Sequence, residues 1–297
     1  MARSTFALNL LLFAAASACA TNLLHRAGSP IVMDGRLIEP CWSNAAARAV
    51  HVVHGTKGVT NDAPPMLVRA TWDDRFYYIG YEFFDTNITA YGTGVFEGPA
   101  DRPRECARIS PGADAPGCDV AEFFLSWGSP AFFWELHHNA SNCFSDVWCA
   151  VLPESHPDAG APPFAYGIYF GREATLRDEG ANRLESAVHL LPRADGHPST
   201  INDASDVDTG YSAEIRIPWG AFAPRSLARF QGRGEPPAWH PSGATLWMLS
   251  VCQNPDTGHR YHHDSPSFPG GWFHHGAKFW PRYRLVDPAE ESETSNP

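Results

Sequence analysis

Short apolar segments of strand length recur along the whole chain, and they constrain its fold more than any other feature of the sequence. They are rich in Tyr, Phe, Trp, Val and Ile, and several alternate apolar with polar positions, whereas helical periodicity is scarce. Together they predict an all-β chain that forms a single antiparallel β-sandwich. The segments read PMLVRATWDD, RFYYIGYEFFD, AEFFLSW, AFFWELHHN, FAYGIYFG, SAVHLLP, GYSAEIRIPW and TLWMLSVCQN.

Long polar or Pro/Gly-rich stretches separate these segments. Stretches of this length in a compact domain are usually functional or cross-linked, so we interpret them as long decorated loops on one sandwich. No linker separates two complete sets of strands, which favours a single domain over residues 28–288. The acidic tail, residues 289–297, lacks apolar side chains and is predicted to be disordered. The long stretches are residues 92–118, 150–163, 191–209 and 223–243.

The first 20 residues have the layout of a signal peptide. One Arg precedes an apolar run at residues 6–16, and small residues follow it up to Ala20. The run is shorter than the roughly 20 residues that a membrane span needs, so we expect cleavage near Ala20 and secretion. In an alternative interpretation Cys19 is the lipid-anchored cysteine of a bacterial lipoprotein.

The charge balance excludes one class of partner. The formal net charge is -11, and lysine occurs only at positions 57 and 278, so no basic stripe is present to neutralise a phosphate backbone. Nucleic acid is therefore not expected as a partner. No later apolar run is long enough to span a bilayer.

Six cysteines remain if Cys19 leaves with the signal peptide. An even number in an exported chain favours disulfides, and the spacing suggests Cys106 with Cys118 and Cys143 with Cys149, which leaves Cys41 for Cys252. The alternative is two disulfides and two buried thiols. The sequons at Asn87 and Asn139 would make the chain a glycoprotein in a eukaryotic secretory pathway.

Two sequence motifs have a structural interpretation. Asp34-Gly35 predicts a turn, and Trp42 follows it as a large aromatic that is expected to plug one end of the sandwich. Pro218 ends a strand, and the sequence WGAF after it predicts a short turn or helix that caps an end of the sandwich.

The order of the motifs resembles the family 9 carbohydrate-binding modules and their DOMON-like relatives. The resemblance covers nearly the whole mature chain and implies a jelly-roll type sandwich that binds saccharide between aromatic side chains, without catalysis. It also implies a supporting role in polysaccharide breakdown, with glycoside hydrolases as partners. The motifs are IVMDGRLIEPCWSNA, LVRATWDDRFYYIGYEFFDTNI, CDVAEFFLSW, FFWELHHNASN, YSAEIRIPWGAF, GATLWMLSVCQN and GGWFHHGAKFWPRYRLV.

Within this resemblance, Glu122 matches an acid that faces the binding cleft and accepts hydrogen bonds from sugar hydroxyls. A carboxylate suits that role because it offers about four acceptor sites. Alternation puts Glu122 on one strand face with Phe124, and Ala121, Phe123, Leu125 and Trp127 on the other. The structural alternative is an ion pair between Glu122 and Arg216 or Arg69.

The resemblance also implies aromatic clamps for the sugar ring. One clamp position is retained in kind as Trp272 and Phe273. The other position has no Trp, and the sequence leaves open which ring replaces it: Trp134, Trp127, Trp148, Tyr91 or Phe96. Two further positions depart from the family: Glu135 stands where sugar-binding members carry Arg, and Ser250 stands where they carry Gln. The predicted ligand-binding set of six is Glu122, Trp134, Glu135, Ser250, Trp272 and Phe273.

Metal and haem sites are also considered. Asp206 and Asp208 lie in DVDTG, whose oxygen ligands would suit a structural calcium ion, and the family resembled often holds one. Adjacent histidines such as His137 and His138 point to opposite faces of a strand, so each pair gives at most one zinc or copper ligand. The alternative function is a haem-binding redox module that uses Met66 with His137 or His138.

Catalysis is not expected. Glycosidases place two carboxyl groups about 5 to 10 Å apart across the scissile bond, and Asp119 and Glu122 are too close in sequence to do so. No Ser-His-Asp elbow or phosphate-binding Gly loop is present. The third possibility is a structural or adhesion domain without a ligand.

Overall fold

The structure, a computed structural model, describes most of the chain from Thr21 to Asp287. The described residues are 21–54, 64–91, 93–95, 104–108, 118–127, 132–151, 164–165, 168–171, 184–222, 245–254, 261–268, 273 and 279–287. The predicted signal peptide, Cys19 and the acidic tail lie outside these ranges, as does Trp272.

The regular elements among the described residues are strands, apart from one short helix and one 3-10 turn at Trp219–Phe222. The elements are β1 Thr21–His25, α1 Pro40–Asn44, β2 Arg48–Val50, β3 Val52–Val53, β4 Met66–Trp72, β5 Phe76–Phe83, β6 Thr93–Val95, β7 Arg104–Arg108, β8 Val120–Trp127, β9 Phe132–His138, β10 Cys143–Val151, β11 Phe164–Ala165, β12 Ile168–Gly171, β13 Glu185–Leu190, β14 Tyr211–Pro218, β15 Thr245–Gln253, β16 Tyr261–His263 and β17 Arg282–Val286.

Two sheets contain these strands. Sheet A has the order β1-β17-β15-β8-β9-β10-β12-β11, with β16 and β3 continuing from β15, and β7 and β6 continuing from β10. Sheet B has the order β13-β14-β5-β4-β2. Neighbouring strands run antiparallel except β1 with β17 and β7 with β10, which are parallel. The predicted all-β sandwich is confirmed, with these two parallel pairs as the difference.

The main core lies between the two sheets, and strand alternation explains which residues enter it. On β8, Ala121, Phe123 and Leu125 are fully buried in this core, as predicted, and we call their side of sheet A the inner face. Sheet B contributes Tyr77, Tyr81 and other large rings to the same core. Burial of such apolar area is the main source of stability in a sandwich of this kind.

A second apolar cluster lies on the opposite, outer face of sheet A. We call it the outer cluster, and its buried members are Phe124, Phe133, Cys149, Leu249, Val251, Phe268, Phe273 and Trp280. Half-buried Trp247, Tyr261 and Phe279 pack against it. Sheet A is therefore covered with apolar side chains on both faces near its centre, which explains why its strands are so apolar.

Glu214 of β14 connects two of the sequence motifs, IVMDGRLIEPCWSNA and YSAEIRIPWGAF. Its Oε2 accepts the backbone N–H groups of Asp34 at 2.9 Å and Gly35 at 2.8 Å, and its Oε1 accepts Trp42 Nε1–H at 2.8 Å. Glu214 and Trp42 are buried, so Trp42 is structural as expected, but it packs with Tyr78 on the face of sheet B that points away from the main core rather than plugging an end of the sandwich. Burial raises the pKa of Glu214, and the three N–H donors oppose that shift.

Gly35 is required at the turn that Glu214 caps. Its φ is +81°, a conformation that side-chain-bearing residues rarely adopt. An added Cβ would lie 2.7 Å from the backbone of Val188 and His189 on β13. The DG motif therefore fixes a close contact between the N-terminal turn and sheet B.

The predicted disulfides are wrong for the cysteines that the structure describes. Cys41, Cys118, Cys143, Cys149 and Cys252 are all buried free thiols. Cys143 and Cys149 both lie on β10, six residues apart, and an extended strand separates such residues by about 20 Å, far beyond disulfide reach. Cys41 and Cys252 belong to different apolar clusters. The side chain of Cys106 lies outside the described residues.

Asn139 is built into a turn rather than displayed for glycosylation. It is fully buried, its Oδ1 accepts the N–H of Ser141, and its Nδ2 donates to the carbonyl of Tyr91 at 2.8 Å. An attached glycan would break these bonds, so the expectation of a sugar at Asn139 does not fit the fold. Among the described residues, no helix is long and apolar enough to cross a membrane.

Candidate functional site

Glu122 lies on the outer face of sheet A, two residues before Phe124 on β8. Its side chain is mostly buried, with a residue exposure of 4%. The structural alternative of an ion pair with Arg69 or Arg216 is not what the structure contains, because those guanidinium groups pair with Glu82 and Glu185 in sheet B. The acid at the start of β8 is thus held by other groups.

Those groups come from the two neighbouring strands. Gln253 of β15 donates its Nε2–H to Glu122 Oε1, and His137 of β9, which is opposite Glu122 in the register, places Nε2 3.9 Å from Glu122 Oε2. Glu135 Oε1 lies 2.9 Å from the same imidazole nitrogen. We call Gln253, Glu122, His137 and Glu135 the carboxylate row, since they cross three adjacent strands on one face.

Aromatic rings border the carboxylate row. Phe124 and Phe273 have ring centroids 5.8 Å apart, and Tyr261 lies 6.3 Å from Phe273. Tyr261 is opposite Gln253 in the β15–β16 register, which places its half-buried ring on the same face as the row. The outer face therefore combines acceptors, donors and ring surfaces in one region.

The structure separates the predicted ligand-binding residues into two groups. Glu122, Glu135 and Phe273 lie on the outer face. Trp134 pairs with Leu125, and Ser250 pairs with Phe123, so both side chains point to the inner face and are fully buried there. Trp134 and Ser250 cannot line one cleft with Glu122, because the sheet lies between them. Trp272 falls outside the described residues.

Sequence reasoning missed three residues of this face: Gln253, His137 as a partner of the acids, and Tyr261. The information that would have identified these residues is the strand register, which pairs β8 with β15 and β9, and β15 with β16. Alternation within FFWELHH does place Glu135 and His137 together and opposite Trp134. Which strands are neighbours is not readable from any one of them.

The expected calcium ligands Asp206 and Asp208 are occupied by protein donors. Asp206 pairs with the Arg193 guanidinium and accepts from Thr200 Oγ1 at 3.1 Å. The two Asp208 oxygens accept the backbone N–H groups of Thr200 at 2.7 Å and Ile88 at 3.0 Å. An arginine beside the acids and N–H groups on their oxygens do not fit a calcium ion.

His137 and His138 point to opposite faces of β9, as strand alternation predicts. His138 is fully buried on the inner face, where Nδ1 bonds with Tyr81 OH and Nε2 lies 2.9 Å from Asn142 Oδ1. Both ring nitrogens are therefore engaged, and Met66 is fully buried among core side chains. This arrangement does not fit axial ligation of a haem by Met66 and His138.

A cavity of about 580 Å³ lies away from the carboxylate row, beside β1 and α1. Both arginines that line it are paired: Arg48 Nε lies 3.1 Å from Asp264 Oδ2, with its guanidinium over the ring of Tyr283, and Arg26 pairs with Asp74 and Asp287. None of the row or the outer cluster lines this cavity. The row on the outer face is the better candidate site, because it joins acids and rings.

Solved structures with a similar architecture were found. A candidate carbohydrate-binding protein from Bacteroides uniformis ATCC 8492 aligns with 89% of this chain and 98% of its own, at a TM-score of 0.52 and 12% identity. The two chains share a fold. A family 9 carbohydrate-binding module from Caldicellulosiruptor kristjanssonii in complex with cellotriose covers 92% of this chain and 97% of its own, with a TM-score of 0.47 and 13% identity.

The expected resemblance to carbohydrate-binding sandwiches is confirmed at the level of the fold. Comparisons with models of known protein families and with curated proteins gave no match. At such low identity the shared fold carries no information on which residues bind a ligand. The function must be argued from the carboxylate row itself.

Proposed function

We propose that this chain is a non-catalytic protein that binds saccharide on the outer face of sheet A. The single observation that carries the proposal is the carboxylate row next to aromatic rings on one rigid sheet. Family 9 carbohydrate-binding modules in complex with cellotriose and with glucose make these two saccharides the first to test. Secretion, through the predicted signal peptide at residues 1–20, is part of the same proposal, as is support of glycoside hydrolases.

The polar side of the site supplies both kinds of hydrogen-bonding group. Glu122 and Glu135 accept from sugar hydroxyls, and Gln253 and His137 can donate to sugar oxygens. A carboxylate acceptor makes a stronger bond than a neutral one, which favours a ligand rich in hydroxyl groups. Because these side chains already bond to each other, the row is held in place before a ligand arrives.

The apolar side of the site supplies a surface for the C–H face of a sugar ring. Tyr261 is half-buried and on the same face as Gln253, so its ring is the described aromatic best placed for stacking. Phe273 is only 9% exposed and packs against Phe124, so it offers little surface to a ligand. Its ring instead helps to hold Tyr261 in position.

Replacing Glu122 by glutamine should weaken saccharide binding at least tenfold. The change keeps the shape of the side chain but removes the charged acceptor, whose hydrogen bonds each contribute about 1.5–3 kcal/mol. The measurement is calorimetric titration with glucose, cellobiose and xylobiose, preceded by a glycan array to select the ligand, and carried out in EDTA so that metal binding does not contribute.

Glu185→Gln is the matched control, because Glu185 is an exposed acid in sheet B that pairs with Arg216. It should bind saccharide as the wild type does. If the folded wild-type protein bound none of the sugars on the array, or if Glu122→Gln bound with unchanged affinity, saccharide binding at this row would be excluded.

A further inference from the structure

We propose that Glu122, Glu135 and His137 bind one divalent metal ion of the zinc class on the outer face of sheet A. Among the residues that the structure describes, these three form a group whose potential ligand atoms all lie within 4.8 Å of one another. The inference does not depend on saccharide binding, because a metal site at these residues would exist with or without a sugar ligand.

The spacing of the ligand atoms is close to what a single ion needs. His137 Nε2 lies 2.9 Å from Glu135 Oε1 and 3.9 Å from Glu122 Oε2. Zinc takes nitrogen and oxygen ligands at about 2.0–2.2 Å, so side-chain shifts of about half an ångström would bring all three atoms into its first coordination sphere. All three side chains are carried by paired strands, which limits larger movements.

The electrostatics of the group also favour a cation. Glu122 and Glu135 are both buried, with residue exposures of 4% and 8%, and their carboxylates converge on one imidazole nitrogen. Two carboxylates this close repel each other where little solvent screens them. A divalent ion coordinated by both acids would offset this repulsion.

The surrounding groups resemble the outer shell of a metal site. Gln253 donates to Glu122 Oε1, which leaves Oε2 directed toward His137. Cys149 Sγ donates to Glu135 Oε2 at 3.9 Å. Metal ligands are commonly oriented by hydrogen bonds of this type.

The mixture of ligands selects the class of metal. Calcium and magnesium take oxygen ligands almost exclusively, whereas zinc, cobalt and nickel accept one imidazole with carboxylates. His137 is 26% exposed at its side chain, which gives an ion a path from solvent. A zinc-class ion is therefore a better match than calcium.

The test uses the full chain without a histidine tag, stripped with EDTA and then titrated with zinc chloride while bound metal is counted by mass spectrometry. We expect the wild type to bind one more zinc ion per chain than His137→Gln does, and Glu135→Gln to weaken that site at least tenfold. Cobalt(II) should give visible bands typical of low coordination number in the wild type, which the His137→Gln variant lacks.

His197→Gln is the control for loss of a histidine, because His197 is exposed in the loop before β14. It should keep the wild-type stoichiometry and cobalt spectrum. Equal zinc stoichiometry in wild type and His137→Gln, with both folded by circular dichroism, would overturn the proposal. The sugar titrations in EDTA would stand unchanged in that case, so failure of one proposal is separable from failure of the other.

Discussion

Replacing Glu214 by glutamine should lower the free energy of unfolding by about 3–4 kcal/mol. The carboxylate accepts three N–H groups with two oxygens, from Asp34, Gly35 and Trp42. Glutamine has one carbonyl oxygen, and its NH₂ group would face an N–H donor. A buried donor left without a partner costs about 1–3 kcal/mol, and bonds to a charged group exceed neutral ones.

The effect should be larger than the loss of one bond, because Glu214 joins two parts of the chain that are distant in sequence. The bonds of Glu214 hold the Asp34-Gly35 turn and Trp42 of α1 to sheet B, beside the bond from Ser212 Oγ to the Gly35 carbonyl and the packing of Trp42 with Tyr78. Urea unfolding followed by tryptophan fluorescence measures the change, with the slope against denaturant checked for constancy.

Glu185→Gln is the matched control, since it removes a carboxylate from the neighbouring strand β13, where its half-exposed pair with Arg216 contributes little. A loss of less than about 1 kcal/mol is expected there. If Glu214→Gln were as mild as this control, the three-donor arrangement would not be a main support of the fold.

Lowering the pH from 7 to 4 should remove about 3 kcal/mol of stability through His138 alone. Burial lowers the pKa of His138 to about 4, against about 6.5 for an exposed histidine. As the pH falls through 6.5, the unfolded chain takes up a proton that the folded chain does not. The contribution of His138 to stability is therefore fully present above pH 6.5 and is lost as the pH falls to about 4.

The slope of the free energy of unfolding against pH measures how many more protons the unfolded chain binds than the folded chain does. In the wild type His263, whose pKa burial and His54 also lower to about 4, adds a second proton. His138→Gln should reduce the slope between pH 4 and 6.5 by about one proton. Glutamine is chosen because its amide can keep hydrogen bonds to Tyr81 and Asn142. His197→Gln, at an exposed site, should keep the wild-type slope. An unchanged slope in His138→Gln would contradict the assignment.

The strand pattern of the sequence predicted the fold class and the two faces of β8. Ala121, Phe123 and Leu125 were expected on one face and Glu122 with Phe124 on the other, and the structure has them so. This succeeds because alternation is a local property of an extended backbone, independent of which strands are neighbours.

The site was predicted less well, because it depends on register between distant strands. Glu122 was identified through the family resemblance, but its partners Gln253 and His137 become neighbours only when β15, β8 and β9 pair. Trp134 and Ser250 were assigned by position within motifs, and the period of two in their own strands points them into the core.

The disulfide predictions failed for a related physical reason. Cys143 and Cys149 were treated as the ends of a short loop, yet the residues between them extend as β10 and pair with β9. An extended strand holds its two ends far apart, so these two cysteines are close in sequence but distant in space. An even count of cysteines therefore does not say which of them, if any, are paired.

The parallel pairing of β1 with β17 ties the order of synthesis to the order of folding. Thr21 is opposite Arg282 and His25 is opposite Val286, so this ladder joins segments about as far apart in the chain as its strands allow. A ribosome releases β17 after the other described strands, and β1 has to wait for it while the rest of sheet A assembles. Long-range closure of this kind is slow, so the edge of sheet A at β17 stays unpaired for longer than its other strands.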